Sequence, residues 1–283
     1  MPEIEKEKKY EIINTDWIEL IDTEHRKHIL RRIRAVKDFD DVKIGDYGGY
    51  IESENNLNQY DNSWIYSDAV RIDKNARAWG QSRVYGNAKL YNSAEVCDYA
   101  IACDHVKIYD NSKVHGRSKI YGNCYIHGIS NIGGRANIFG DNLVHITGGA
   151  KISDNVKIKG TVTIKGNVFL YGNTTVIGND ITIDGDILIR EATNIRDEAH
   201  ILSNADFSSV TNLGVTHDVV TSYLTKDLVI MVNLGEFTGT YDKFMSMIKE
   251  SYNEDDPFGI EILHFMNAMK ERFVQNRGGN NNE

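Results

Sequence analysis

The chain has 283 residues and a formal net charge of −9, and 41% of its residues are hydrophobic while 26% are charged. This composition is typical of a globular protein and excludes an intrinsically disordered one. No stretch reaches the ~18–20 apolar residues that a membrane span needs, the first residues lack the apolar core of a secretory signal, and three cysteines do not make a disulfide framework. We therefore expect a protein of the reducing cytoplasm that does not enter a membrane.

Charge divides the chain into three regions. Residues 1–63 carry a net charge of −5, residues 64–180 carry +5 and residues 181–283 carry −9. A basic middle between two acidic ends influences the choice of partner rather than the fold.

Residues 1–63 are predicted to form a β-rich N-terminal cap. Within this region, residues 9–13, 17–22 and 28–36 have the composition and alternation of short strands. A cap is needed because the repeats that follow would otherwise end in unpaired strand edges.

A six-residue repeat dominates residues 64–213. Hydrophobic residues recur at intervals of six, a smaller residue precedes most of them by two positions, and turn pairs such as Gly86-Asn87 lie between them. A helix would show spacings of three and four, so the pattern predicts one short strand and one corner in each hexad. The longest register contains Val84, Leu90, Val96, Ala102, Ile108, Val114, Ile120, Ile126, Ile132 and Ile138.

The register slips three times and recovers each time. Gaps of seven separate the interior residues at 65–72 and at 176–183, and a gap of eight separates those at 138–146. Three hexads close a triangular coil of 18 residues, because strand side chains alternate and Asn or Gly tolerates the left-handed corners. The fold class is therefore mainly β, a parallel β-helix of about eight coils.

The repeat resembles that of the hexapeptide-repeat family over residues 65–207. The resemblance implies that the β-helix is left-handed. Many members are acyltransferases that use acetyl-CoA or acyl carrier protein, commonly as trimers, whereas others are non-catalytic scaffolds. The resemblance is therefore specific for the fold and unspecific for the function.

Segments at both ends resemble a phage and prophage branch of these proteins. Residues 32–39 and 42–51 look like the opening of that branch, Trp64-Ile65-Tyr66 begins its repeats, and residues 234–244 are similar to a module at its end. Members of the branch are named transferases because of their fold, and their motifs imply no activity. The resemblance implies a phage-encoded protein that acts on a host defence protein in the host cytoplasm.

Residues 214–276 are predicted to form a C-terminal α/β module. The pattern predicts a strand pair over residues 219–224 and 228–232, followed by helices over residues 241–251 and 258–274.

The second predicted helix has a broad apolar face, which indicates core packing or an oligomer contact. This face contains Ile260, Leu263, Phe265, Met266 and Met269. We expect a homo-oligomer, a dimer or trimer, that forms through this module or through a face of the β-helix. Residues 277–283 are expected to be a disordered tail.

Outward residues 18 positions apart should stack in columns on the three faces of the β-helix. Rings beside cations predict a surface that binds a partner, and the net charge favours a protein over a nucleic acid. The same rings would also stabilise a flat parallel sheet by stacking, so a structural role stays open. The columns contain Tyr85, Cys103, Tyr121 and Phe139 on one face, Tyr91, Tyr109 and His127 on the next, and Trp79, Cys97 and His115 on the third. The basic positions beside them are Arg77, Arg83, Lys89, Lys107, Lys113 and Lys119.

No catalytic motif is evident in the sequence. It has no glycine-rich phosphate loop, no zinc-like Cys/His cluster and no nucleophile elbow, and we expect no metal site. Cys97 and Cys103 should point outward and Cys124 inward. The one notable histidine pair is His127 and His145, whose Cα atoms should lie ~8 Å apart, with no oriented carboxylate beside them.

We therefore predict a non-catalytic β-helical scaffold that binds another macromolecule and needs no cofactor. The alternative is a CoA-dependent acyl- or acetyltransferase of the hexapeptide-repeat type. Its site would lie at a subunit boundary, with acetyl-CoA as the donor and His127 or His145 as the general base.

Overall fold

The hydrophobic hexads form the three faces of a parallel β-helix of about eight turns, which confirms the predicted fold class. The computed structural model describes residues 7–22, 25–67, 70–213 and 219–278. In chain order, the strands up to the end of the coils are β1 Tyr10–Ile21, β2 Lys27–Ala35, β3 Tyr47–Ile51, β4 Trp64–Ile65, β5 Arg71–Ile72, β6 Arg77–Ala78, β7 Arg83–Val84, β8 Lys89–Leu90, β9 Glu95–Val96, β10 Ile101–Ala102, β11 Lys107–Ile108, β12 Lys113–Val114, β13 Lys119–Ile126, β14 Asn131–Ile132, β15 Asn137–Ile146, β16 Lys151–Ile152, β17 Lys157–Lys165, β18 Phe169–Leu170, β19 Thr175–Asp184, β20 Leu188–Ile189, β21 Asn194–Ile195 and β22 His200–Ile201.

Each face is a parallel sheet in which strands one coil apart pair in register. Face A contains β4, β7, β10, β21 and the first halves of β13, β15, β17 and β19, and face B contains β3, β5, β8, β11, β22 and the second halves of those four strands. Face C contains β6, β9, β12, β14, β16, β18 and β20. On face B, Lys107 pairs with Lys89 on one side and with Tyr125 on the other, each 18 residues away.

Aliphatic side chains fill the inside of the coils. Ile120, Ile138 and Ile158 are at most 1% exposed and belong to one core that runs from Tyr10 to Tyr223. Burying one such side chain contributes roughly 1.5–3 kcal/mol. The inward positions predicted from the repeat are therefore confirmed.

The cysteines depart in part from the expected pattern. Cys124 is buried as expected, but Cys97 is also completely buried, and Cys103 is half-buried. Trp79 and His115 occupy the equivalent positions in the adjacent coils. Burial raises the pKa of Cys97 to about 12, which leaves the thiol protonated and unreactive at neutral pH.

All three register slips fall at the corner between faces A and B. Residues 65–72, 138–146 and 176–183 each lead from face A to face B, and the pairing of β15 and β17 with their neighbours shifts at this corner. At residues 138–146 and 176–183 the extra residues bulge at this edge of the prism. The faces therefore keep their register through every insertion.

The corners use aspartate as well as the expected glycine and asparagine. Aspartates at several corners have a positive φ, and each accepts a hydrogen bond from the backbone N–H of a glycine one coil later. A short carboxylate tolerates the left-handed region and also satisfies a corner N–H, which explains its use. The pairs are Asp98 with Gly116 at 3.0 Å, Asp104 with Gly122 at 3.0 Å, Asp110 with Gly128 at 3.1 Å and Asp154 with Gly172 at 3.0 Å.

An antiparallel hairpin covers the N-terminal end of the coils. Two of the three predicted strands are one continuous strand, β1, because its pairing with β2 passes over an irregularity between Ile13 and Trp17. The ring of Tyr10 lies edge-on to Trp64 with centroids 6.2 Å apart. A short 3-10 helix, Glu54–Asn56, follows β3.

The C-terminal module is an antiparallel sheet followed by two helices. Its elements are β23 Phe207–Val210, β24 Val220–Leu224, β25 Ile230–Leu234, β26 Phe237–Thr240, α1 Tyr241–Ser251 and α2 Pro257–Gly278. The repeat was expected to extend to residue 207, but the strand that begins at Phe207 pairs antiparallel with β24. The β-helix therefore ends at Ile201, and Phe207 packs against the end of its core.

The two predicted helices are confirmed, and the second is longer than predicted. α2 reaches Gly278, so the first two residues of the predicted tail are helical, and residues 279–283 lie outside the described part of the chain. Met266 and Met269 are buried as expected, whereas Ile260 is 39% exposed. Within the described residues, neither helix has the length and apolarity that crossing a membrane requires.

Replacing Gly148 by alanine should test the close backbone packing at the corners. Gly148 has φ +74°, and a Cβ there would lie 2.8 Å from the backbone nitrogen of Gly166, so we expect Gly148→Ala to cost about 2–5 kcal/mol of stability. Gly45→Ala is the matched control, because Gly45 also has a positive φ but faces open space. It should cost only about 1–2 kcal/mol in urea unfolding. Equal losses would show that the corners do not depend on close packing.

Candidate functional site

Four rings stack in a column on face B. The centroid distances are 4.8 Å from Tyr91 to Tyr109, 4.5 Å from Tyr109 to His127 and 4.9 Å from His127 to His145. The predicted column of Tyr91, Tyr109 and His127 is therefore present. His145 joins it although it precedes Ile146, because the side chain turns toward His127.

The aromatic residues of face A form two short stacks rather than one column. Tyr85 stacks on Tyr66 at 4.5 Å, and Tyr121 stacks on Phe139 at 4.7 Å. Cys103 separates the two stacks, because its small side chain offers no ring to either neighbour.

The third predicted column contains little aromatic surface. Lys113 lies 5.5 Å from the ring centre of Trp79, and Cys97 is buried behind it. His115 lies over Gly133 and its Nε2 is 2.7 Å from Oδ1 of Asn131. The side chains of this column therefore make their contacts within the β-helix.

The predicted cations do not form one patch, because the triangular coil distributes them over three faces. Arg83 on face A pairs with Asp40 at 2.6 Å, and Lys113 on face C pairs with Glu95 at 3.3 Å. Arg77 lies on face C and Lys119 on face A. Lys89 and Lys107 remain on face B beside the four-ring column.

A groove of about 480 Å³ lies between β1 and face B. Apolar side chains of β1 form one wall, and cations at equivalent positions of successive coils form the other. Within the described part of the chain, its lining contains no carboxylate. The lining residues are Ile18, Leu20, Arg71, Asn87, Lys89, His105 and Lys107.

Aromatic rings hold two of these cations in place, and the third is exposed. The guanidinium of Arg71 lies 4.6 Å from the ring centre of Tyr50, and Nζ of Lys107 lies 4.3 Å from that of Tyr125. Such cation–π contacts contribute about 0.5–1 kcal/mol at exposed sites. The side chain of Lys89 is exposed and makes no hydrogen bond or ion pair with the described residues.

Sequence reasoning found Lys89 and Lys107 but missed Arg71, Ile18 and Leu20. Arg71 lies 18 residues before Lys89, so the repeat itself contained that signal. The positions of Ile18 and Leu20 depend on how the hairpin folds over face B, and the repeat carries no information about this.

The histidine pair has partners on both sides. The Nε2 atoms of His127 and His145 are 2.7 Å apart, and Nδ1 of His127 lies 3.2 Å from Oγ1 of Thr147 and 3.5 Å from Oδ2 of Asp110. The expectation that no carboxylate lies beside the pair is therefore wrong, because the corner residue Asp110 reaches His127 from the preceding coil. Burial and the neighbouring His127 lower the pKa of His145, which favours the neutral ring.

The described residues contain no group of three or more His, Cys, Asp or Glu side chains arranged to hold a metal ion.

A charged cluster joins the tip of the N-terminal hairpin to the first coil. We call Asp22, His28, Glu52 and Lys74 the hairpin latch. His28 lies 3.0 Å from Glu52 and 3.2 Å from Asp22, and Lys74 lies 3.1 Å from Asp22. The hydrogen bond with Glu52 raises the pKa of His28, whereas backbone and side-chain donors hold the pKa of Asp22 well below its usual range.

No protein-family model matches the chain, and no curated protein is detectably similar to it. The functional assignment therefore depends on the arrangement of the chain's own residues.

The free energy of unfolding should fall as pH rises from 6.5 through the raised pKa of His28. Folding raises this pKa, so the stability from the imidazolium is complete below 6.5 and is lost when the proton leaves. Asp73, whose pKa burial raises to about 6 from 3.8, adds a loss in the same direction at lower pH. Urea unfolding as a function of pH measures both effects.

Two substitutions distinguish the effect of His28 on this pH profile from that of another histidine. His28→Gln should flatten the profile from pH 6.5 to about 8, above which the lowered pKa of Lys9 contributes, whereas His264→Gln, at an exposed helical position, should leave it unchanged. A wild-type profile that is flat above pH 6.5 would contradict a protonated latch.

Proposed function

We propose that the chain is a non-catalytic β-helical scaffold that binds another protein through face B. One observation carries the proposal: a four-ring column and a row of cations lie side by side on one rigid face, next to a groove. Tyrosine and arginine are enriched where proteins bind one another, and lysines beside them fit the polar rim of such a surface.

Contacts within the chain explain the rings and two of the cations but not the exposed Lys89. Tyr91 and Tyr109 would stabilise the sheet whether or not a partner binds. The side chain of Lys89, by contrast, makes no hydrogen bond or ion pair with the described residues and is exposed beside the groove. An exposed cation between an aromatic column and an apolar wall fits an interaction surface.

We further propose that the chain belongs to the hexapeptide-repeat family and to its phage-type branch, with a host protein as partner. The 18-residue coils and the order of cap, coils and C-terminal module support this assignment. We also propose a homo-oligomer. Phe258, Ile260 and Val274 on α2 are between 39% and 55% exposed and offer an apolar surface for that contact.

Photo-crosslinking can locate the binding face. A photoreactive phenylalanine analogue at Lys89 or Tyr109 on face B should crosslink to a protein of the host extract. The same analogue at Lys151 on face C or Lys157 on face A, both exposed, should not. Equal crosslinking from all faces, or none from face B, would contradict the assignment.

The second candidate function is a CoA-dependent acyltransferase. The row of Asp110, His127 and His145 favours it, because a carboxylate beside a histidine is the usual arrangement of a general base. We place it second, because both ring nitrogens of His127 already have partners.

Thermal unfolding in excess acetyl-CoA should distinguish the two functions. For a scaffold we expect an unchanged Tm. Acetyl-CoA at 100 times its Kd would add about 2.7 kcal/mol and raise Tm by about 5–10 °C. Such a rise in the wild type, absent from a His127→Ala, His145→Ala double variant, would overturn the scaffold proposal.

A further inference from the structure

We propose that the groove between β1 and face B accepts an extended acidic segment of the partner protein, which adds to the edge of β1 as a further strand. This inference rests on the proposed protein-binding function and specifies the chemistry of the segment that is bound.

The first observation is the position of β1 at the end of its sheet. The order of strands is β1-β2-β3-β5, and within the described residues β1 pairs with β2 alone. β1 is 12 residues long, and an edge of this length offers a row of backbone donors and acceptors to an incoming strand. Ile18 and Leu20 extend from this strand into the groove.

The second observation is the charge of the opposite wall. Arg71, Lys89 and Lys107 occupy the same register position in three successive coils, so their Cα atoms follow one another at ~4.8 Å. In an added strand every second side chain would lie on the same face as Ile18 and Leu20, which faces this row. Carboxylates at those positions would neutralise the cations, and they are the side chains that the groove selects.

The surroundings of the groove favour a peptide over a nucleic acid. The wall formed by Ile18 and Leu20 is apolar, and the hairpin carries Asp16 and Glu19 nearby. The N-terminal region has a net charge of −5 and the whole chain −9, which disfavours a polyphosphate with a charge on every nucleotide more than a segment with a few carboxylates. A peptide needs only a few carboxylates and also supplies backbone hydrogen bonds.

Fluorescence anisotropy with defined probes tests the inference on the full chain. The main probe is a fluorescein-labelled peptide of alternating Glu and Val as long as β1, which places every carboxylate on one face of a strand. The comparison probes are an alternating Lys–Val peptide and single-stranded oligo(dT). We expect the Glu–Val peptide to bind, more weakly at high salt, and the other two to bind poorly.

Charge reversal tests the cation row. Lys89→Glu with Lys107→Glu should weaken binding of the Glu–Val peptide by at least about tenfold. The matched control is Lys151→Glu with Lys157→Glu on the other faces, which should leave binding unchanged. Far-ultraviolet circular dichroism shows that each variant keeps its fold. Equal affinity of both double variants would overturn the role of the row.

Backbone methylation of the probe tests strand addition without altering the protein. A Glu–Val peptide with an N-methyl group on every amide keeps its charges but has no backbone N–H to donate from either edge. We expect binding to be lost. Retained binding would overturn strand addition, and tighter binding of oligo(dT) than of the Glu–Val peptide would overturn the choice of a peptide.

The two proposals fail separately. If no acidic peptide binds but Lys89 still crosslinks to a host protein, the acidic segment is wrong and the scaffold function stands. If neither binding nor crosslinking occurs, both are wrong.

Discussion

The fold depends on one constraint: the backbone must pass the same three corners in every coil. The backbones of successive coils lie so close at these corners that a Cβ on Gly148 would meet the backbone of Gly166 at 2.8 Å. This spacing lets each strand pair with the strands one coil before and one coil after it. It also places Ile120 above Ile138 inside the helix, so core packing and hydrogen bonding follow from the same register.

The same register organises the outer surface. A residue type that recurs every 18 positions becomes a column, and the ring distances of 4.5–4.9 Å on face B match the strand spacing of about 4.8 Å. Charged residues align in the same way, because Arg71, Lys89 and Lys107 are 18 positions apart and form one row. Since the coils hold these side chains before any partner arrives, binding would lose little conformational entropy in the scaffold.

The repeat allowed much of this to be predicted from the sequence. It gave the interior positions, the three faces and the column of Tyr91, Tyr109 and His127, because a fixed period converts distance along the chain into position in space. It also placed His127 near His145. The corner Asp110 was missed, although its position one coil before Gly128 follows from the same period.

Features without a repeat could not be predicted. The strand β1 covers face B because of contacts between the hairpin and the first coils, such as the hydrogen bond of 2.8 Å that the Tyr50 hydroxyl donates to Asp16. No period links those residues. Likewise the repeat predicted that Cys97 points outward and carried no information about its burial. The groove, which combines a repeated wall with an unrepeated one, was therefore only half predictable.

The corner between faces A and B has already accepted one or two extra residues in three different coils without disturbing either face. The number of residues at this corner can therefore change while the pairing of the strands on both faces stays the same. It is the part of the prism where evolution can extend a loop, and where an engineer can insert a tag or a small domain. The pairing of the strands on either side of this corner would keep its register.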